Sequence, residues 1–292
     1  MRVGYLKIMA VFMMLASASA FAGKSVDESW ELDADATVFI ENIAGVIEIR
    51  GWDKNEARLT GELGSSADEL EISSSGSSLQ ISVTNRSERN VDETVLKLII
   101  PEGASVDATA VSADIMVKGL DNEKLTASSV SGNVEVSASS RRVSIESVSG
   151  DVEFSGQTVR ITAESVSGDI DLSGVSGEVS ATTVSGDMDL MADQIESGRF
   201  ETVSGDMTIV AEVSGNGKIG AESMSGDVVI MLPASQSGVF KAQSFSGRIS
   251  TDFGSVDRAK HGPGSHLKHV AGDGGAEVRV ESFSGDIKLK HD

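Results

Sequence analysis

Five aspartates, Asp151, Asp169, Asp187, Asp206 and Asp227, each follow a glycine and precede an aliphatic residue or Met, at spacings of 18, 18, 19 and 21 residues. If the chain stacks them they form a column of carboxylates, and such a column can recruit Ca²⁺, which takes six to eight oxygens. Neighbours about 4.8 Å apart would also repel by roughly 1 kcal/mol per pair in water. The competing reading is structural: each Asp bonds the backbone of a corner and stays hydrated. Beyond calcium no cofactor is indicated. His261, His266 and His269 share one Gly-rich stretch. Imidazoles can bind zinc, but their spacing matches no established zinc motif and reads as a solvated loop. No catalytic residue stands out. Ser-Gly-Asp is not a nucleophile elbow, and all four histidines, His291 included, fall outside the regular repeats. A β-helix that cleaves acidic polysaccharide with carboxylates and a basic residue is the enzymatic rival, yet a Ser and an Asp offered by every repeat single out none.

The elements that must hold these residues are visible in the repeat itself. Segments of the form hydrophobic-Ser-Gly-Asp-aliphatic begin at Val111, Val130, Val148, Val166, Val184, Val203, Met224, Phe245 and Phe283, with a half-spaced copy at Val175. A period near 20 predicts a solenoid rather than a single globular core. Four and six residues into each unit come apolar pairs such as Val152 and Phe154, and five and three residues before the next unit come pairs such as Ile161 and Ala163. Period two marks strands with one buried face. Two short strands and tight corners per unit give an all-β fold, a parallel β-solenoid (β-helix-like) of about ten coils of 18–21 residues. At about 4.8 Å per coil the rod is on the order of 50 Å long.

In this frame Gly132, Gly150, Gly168, Gly186, Gly205, Gly226, Gly247 and Gly285 have the parity of inward positions, where a side chain would crowd the corner. Ser149 and Asp151 point outward by the same count, and short polar side chains favour bends. The residue before each regular unit is hydroxylic, from Ser129 and Ser147 to Ser244 and Ser282, so stacked hydroxyls are expected to bond one another.

Composition bounds the function. With 45 acidic against 24 basic residues the net charge is −21, which argues against nucleic acid, whose phosphates need a basic face, and against anionic membrane surface. Acidic charge also serves solubility. There is no Cys, hence no disulfide, thiolate metal site or lipoprotein anchor. Residues 1–22 read as a signal peptide: Arg2 and Lys7, the apolar run Ile8 to Ala16, then Ala20-Phe21-Ala22 at a small-x-small cleavage pattern. No later segment is apolar enough to be a transmembrane segment. The expected localisation is therefore exported, in the periplasm or at the cell surface or outside the cell. Residues 23–34 read as a leader, 35–103 as an irregular β N-terminal cap, and 104–292 as the repeat region with an inserted Gly/His-rich loop at 254–275. The last strand, Phe283 to Lys290, closes in charge.

The repeated Val-Ser-Gly-Asp-Val units, together with Gly45-Val46-Ile47-Glu48-Ile49-Arg50-Gly51-Trp52-Asp53, resemble a bacterial β-strand-repeat family of unknown function that carries the provisional label of adhesin. The likeness covers nearly everything after the signal peptide. It implies an exported or envelope-associated protein, adhesin-like and without catalysis; the outward Ser, Thr, Asp and Glu ladders of the solenoid are expected to recognise an envelope or cell-surface protein or glycan. The alternative is a structural β-helix that self-assembles end to end. The charged last strand and the irregular N-terminal segment favour a capped monomer.

Overall fold

In a computed structural model the described residues are 25–65, 67–85, 92–258 and 264–292, and among them every regular element is a strand. The segment read as a signal peptide, 1–22, and His261 lie outside the described residues. The repeats form long strands that bend around a corner: β7 (Ser105–Ser129), β8 (Val134–Ser147), β9 (Val152–Glu164), β10 (Ile170–Ser185), β11 (Met188–Ser204) and β12 (Met207–Ser225). Each pairs in parallel with the next, so that Val134, Val152, Ile170, Met188 and Met207 fall in one register. Alternate side chains on both halves of the coil are buried, Val152 and Phe154 on one, Ile161 and Ala163 on the other. They meet in a single thin core that runs the length of the stack. Fully burying one such side chain is worth about 1.5–3 kcal/mol, and the repetition adds that gain coil by coil. This is the parallel β-solenoid that the repeat implies.

Stacking order departs from chain order at the far end. After β13 (Val228–Leu232) the chain builds β14 (Gly238–Ser244) and β15 (Ile249–Thr251), then β18 (Ala276–Ser284) and β19 (Ile287–His291). Yet β19 pairs with β13 on one side and β15 on the other, and β18 lies between β12 and β14. The last strands in sequence are wedged inside the stack. The charged end of β19 is therefore not a terminal cap: Lys288 reaches Asp227 at 3.2 Å in the coil on one side, and Lys290 reaches Asp252 at 3.0 Å on the other.

Both ends switch from parallel to antiparallel pairing. At the far end, residues 254–275 are not simply a loop but contain β16 (Val256–Arg258) and β17 (Ser265–Ala271), with β17 antiparallel to both β14 and β16. Few apolar side chains mark these strands: Leu267 is buried, and Val256 and Ala271 pack half-buried against the core. At the near end β2 (Thr37–Trp52) forms the first coil against β7. Beyond it β5 (Ser78–Asn85) and β6 (Thr94–Pro101) pair with β2 in parallel, then β4 (Ala67–Ser75) and β3 (Glu56–Glu62) follow antiparallel. The segment expected to be a leader supplies the edge strand β1 (Ser25–Glu31), antiparallel to β3. Its acidic residues face outward around Val26 and Trp30, too few apolar positions to announce a strand. A parallel edge left open is a template for further pairing, and here β5, β6 and β14 are each met by an antiparallel strand, while short β15 pairs with β19 alone among the described residues.

Candidate functional site

The repeated corner is built by four consecutive residues that abandon strict alternation. In the coil at Val148 the hydroxyl of Ser147 is buried, Val148 and Ser149 are both exposed, and Gly150 is buried again. The Ser147 hydroxyl accepts from the Gly150 amide at 2.9 Å and donates to the Gly132 carbonyl of the preceding coil at 3.4 Å. Ser129 does the same with Gly132 and Ala113. The hydroxyls thus serve the glycine backbone and do not bond one another along the column. A backbone donor in a tight buried bend needs such a partner, and a neighbouring hydroxyl would leave it unsatisfied.

Glycine is required at the next position by close approach. A Cβ on Gly168 would stand 2.1 Å from the carbonyl oxygen of Gly150, and the same contact is 2.1 Å for Gly150 on Gly132 and for Gly186 on Gly168. The column runs on through Gly205, Gly226, Gly285 and Gly247, each against the previous glycine's carbonyl. Its last two members appear in stacking order, not chain order.

The aspartates form a ladder of a kind the sequence does not reveal. The Asp169 amide donates to Oδ1 of Asp151, that of Asp187 to Asp169, that of Asp206 to Asp187 and that of Asp227 to Asp206, at 2.8–3.1 Å. Asp114 and Asn133 begin the series and Asp286 continues it. Each carboxylate therefore fastens its coil to the next. The final rung is Arg248, whose amide donates to Asp286 while its guanidinium meets the other carboxylate oxygen at 2.7 Å. A carboxylate at that rung would have no following amide to accept. One oxygen of each Asp in the proposed calcium column is committed in this way, and among the described residues no three acidic or imidazole groups converge in a metal-holding geometry.

Beside and within the ladder, Asp171 and Asp286 titrate away from the ordinary carboxylate range in opposite senses. Asp171, one rung along the same face, has Glu153 and Asp189 as its pairing neighbours. Burial, then repulsion from Asp189, Glu153, Asp169 and Asp151, pushes its carboxyl up. Asp286 is held low by the Arg248 side chain and amide, against a smaller burial effect.

The most extended surface feature lies on the other side of the corner. The first residue of every regular repeat is exposed: Val111, Val130, Val148, Val166, Val184, Val203, Met224, Phe283 and Phe245 are 42–56 % accessible. In stacking order they make one apolar stripe roughly 40 Å long at about 4.8 Å per coil. Phe283 and Phe245 stack face to face with ring centres 4.9 Å apart. Beside the stripe runs a groove. Its floor is the buried hydroxyl column and its far wall carries Ser128, Glu146, Glu164, Thr182, Glu201, Glu222, Glu281 and Gln243, in two stretches of about 510 and 570 Å³. Strict alternation would have turned these hydrophobic residues inward. The missed signal is that from Val130 onward a hydroxyl and an apolar residue adjoin at each corner and cannot both occupy the inside; at Gly132, Gly150 and Gly168 the hydroxyl holds that place by accepting from the glycine amide.

The half-spaced copy at Val175 is built differently from the corner copies: Val175 is fully buried and sits at a bulge in the pairing with β9 and β11. His266 and His269 are three residues apart on β17 and so occupy opposite faces of the strand. His291 packs edge-on against Phe253 at 4.6 Å.

Parallel coils with a repeated Ser-Gly-Asp corner define a class of strand-repeat proteins without an assigned biochemical role. Residues 31–232 match the profile of the Toastrack DUF4097 family and residues 210–290 match it again, so the chain belongs to that family. Among solved structures it is similar to a candidate adhesin from Bacteroides fragilis NCTC 9343, at 13% identity and a TM-score of 0.48 over 91% of this chain and 97% of that one. It is similar also to a candidate adhesin from Parabacteroides merdae ATCC 43184, at 13% identity and a TM-score of 0.34 over 93% and 99% of the two chains. A candidate lipid-binding protein from Parabacteroides distasonis ATCC 8503 aligns at 13% identity and a TM-score of 0.35 over 91% and 97%. No curated protein matches the chain. Among the described residues no helix is long and apolar enough to cross a membrane.

Proposed function

We propose that this protein is an exported, non-catalytic binding protein of the cell envelope, adhesin-like in acting through an extended surface, and located in the periplasm or at the cell surface. Its partner is an envelope or cell-surface protein or glycan. The observation that carries this reading is the unbroken apolar stripe from Val111 to Phe245, nine exposed side chains in register beside a groove. Contiguous exposed apolar surface of this extent marks interaction sites in soluble proteins. End-to-end self-assembly has less support, because antiparallel strands cover the near end of the parallel stack and the β14 half of the far end, leaving only three-residue β15 open there.

The test is retention of envelope material on immobilised protein. A variant with Val148→Thr, Val166→Thr and Val184→Thr keeps the branched side-chain shape and removes the apolar surface. It should lose the bound material, whereas Glu135→Gln with Glu153→Gln on the opposite side of the corner should keep it. Equal retention by both would overturn the assignment of the stripe as the binding face.

A further inference from the structure

The groove is not chemically uniform, and its composition points to the kind of ligand it takes. Its lining contains carboxylates and no cation along either stretch: Glu146 and Glu164 in one, Glu201, Glu222 and Glu281 in the other. Arg199 neutralises Glu201 and Arg279 neutralises Glu281, while Glu146, Glu164 and Glu222 have no ion-pair partner among the described residues. A row of bases, Arg199, Arg279 and Lys241, runs just outside the lining of the second stretch, each held by a glutamate, while Arg142 and Arg160 pair with Glu123 and Glu178 farther off. Inside the groove an anionic ligand, whether acidic glycan, phosphate or anionic lipid, meets the unpaired carboxylates of Glu146, Glu164 and Glu222 and no cation of the lining. A purely polar cation would leave the apolar wall in water.

The apolar wall also changes along its length. It is all valine from Val111 to Val203, then becomes Met224, Phe283 and Phe245. Large aromatic side chains are the usual anchors of protein interfaces, and the 570 Å³ stretch lies against them. We infer that the Met224–Phe283–Phe245 end of the groove binds an extended polypeptide segment in which apolar residues alternate with Lys or Arg, the apolar side chains resting on the stripe and the cations facing Glu222 and its neighbours. This rests on the reading of the stripe as the binding face and narrows it to one ligand class.

The probe is a fluorescein-labelled alternating Leu/Lys decapeptide, followed by anisotropy against the full chain. Saturable binding that weakens with added salt is expected. A Leu/Glu decapeptide should not bind, and a Ser/Lys decapeptide of the same charge should bind at least about tenfold more weakly, a difference worth about 1.4 kcal/mol. Phe245→Ser with Phe283→Ser should weaken the Leu/Lys peptide by a similar factor. Glu222→Gln should weaken it several-fold and reduce its salt dependence, whereas Glu153→Gln, an equal change in net charge away from the groove, should not. Should the double Phe variant melt early, Met224→Thr supplies the same comparison. Equal binding of Leu/Lys and Ser/Lys peptides, or equal effects of Glu222→Gln and Glu153→Gln, would reduce the interaction to general attraction by an acidic protein and overturn the inference. If the chain ignores the Leu/Lys peptide but the valine variant still loses envelope material, the stripe binds and only the ligand class is wrong. A neutral glycan competing for that material would then be the replacement.

Discussion

The coils from Val130 to Asp187 and those from Val203 to Arg248 use the same five-residue corner in two different ways. In the first set the repeat is 18 residues, Gly132, Gly150 and Gly168 are buried, and the preceding serine hydroxyl holds the glycine amide. In the second set the spacing widens, Gly205 and Gly226 take φ of +152° and +148°, and their amides turn to the carbonyls of Ser225 and Ser284 in the adjoining coil. The displaced hydroxyls lose their role: Thr202 and Ser282 are buried with no hydrogen-bond partner. The same half carries Met and Phe on the stripe. The regular half is built for stacking, whereas the Val203 and Phe283 coils of the wider half give up the hydroxyl's bonds and only the outermost coil restores them, the Ser244 hydroxyl accepting from the Gly247 amide at 2.8 Å.

The largest expected effect lies in the regular half. Gly168→Val places a side chain on the Gly150 carbonyl and should cost more than about 4 kcal/mol, the range of the most damaging single substitutions. Thermal unfolding followed by circular dichroism should show loss of the main transition. Gly215→Ala, at a glycine with nothing within 4 Å of the added carbon, should leave it unchanged. Equal melting of the two variants would break the close-packed account of the corner.

Next come the two hydroxyls. Ser147→Ala strands the buried Gly150 donor and should cost about 1–3 kcal/mol, whereas Thr202→Val removes a hydroxyl that bonds nothing and should lie within about 0.5 kcal/mol of neutral or on the stabilising side. Chemical denaturation measures both, and equal losses would erase the distinction between the halves.

The charged rungs should contribute less and show opposite pH signatures. Arg248→Ala should lower the melting temperature at neutral pH. Because Asp286 is held below the ordinary carboxylate range, that contribution is present above the usual Asp value near about 3.9 and is lost as pH falls through the depressed one. Asp171 is raised, so its ionised form opposes folding. Asp171→Asn should therefore raise the melting temperature slightly at neutral pH, the gain fading as acid protonates Asp171 and vanishing below the ordinary Asp range. Scans across pH 2–8, a range of about six units around these carboxylates, would show both trends; a gain for Asp171→Asn that persists in acid would remove the repulsion account. Smallest is the response to calcium. With one oxygen of each ladder aspartate committed to an amide, calcium at about 1 mM should shift melting no more than magnesium does. A calcium-selective shift would revive a specific site in the column.

What could be read from the residues was whatever depended on parity within one coil. Val152 with Phe154 and Ile161 with Ala163 alternate cleanly, so two strands and their buried faces followed from them. The corner resisted because two outward residues in succession, Val148 and Ser149, interrupt the alternation, so the parity of neither flanking strand assigns Val148 a side. Pairing between coils was equally hidden. Nothing in Asp151 says that its carboxylate accepts from Asp169 rather than from its own bend, and the gap of 38 residues between Phe245 and Phe283 fits a coil added at the end as well as one wedged inside. Strands with few apolar residues, β1 and β16, left no pattern to find.

That wedged coil sets a schedule for assembly. A solenoid can ordinarily grow in the order in which its chain emerges, each new coil docking on the last. Here the growing surface after β13 must wait, because its neighbour in space is β19, more than fifty residues later in the chain. Residues 238–271 must be made and held aside until 276–291 slip beneath them. The final strands act as a keystone, and deleting them would leave two partly built pieces that share a chain but no rung.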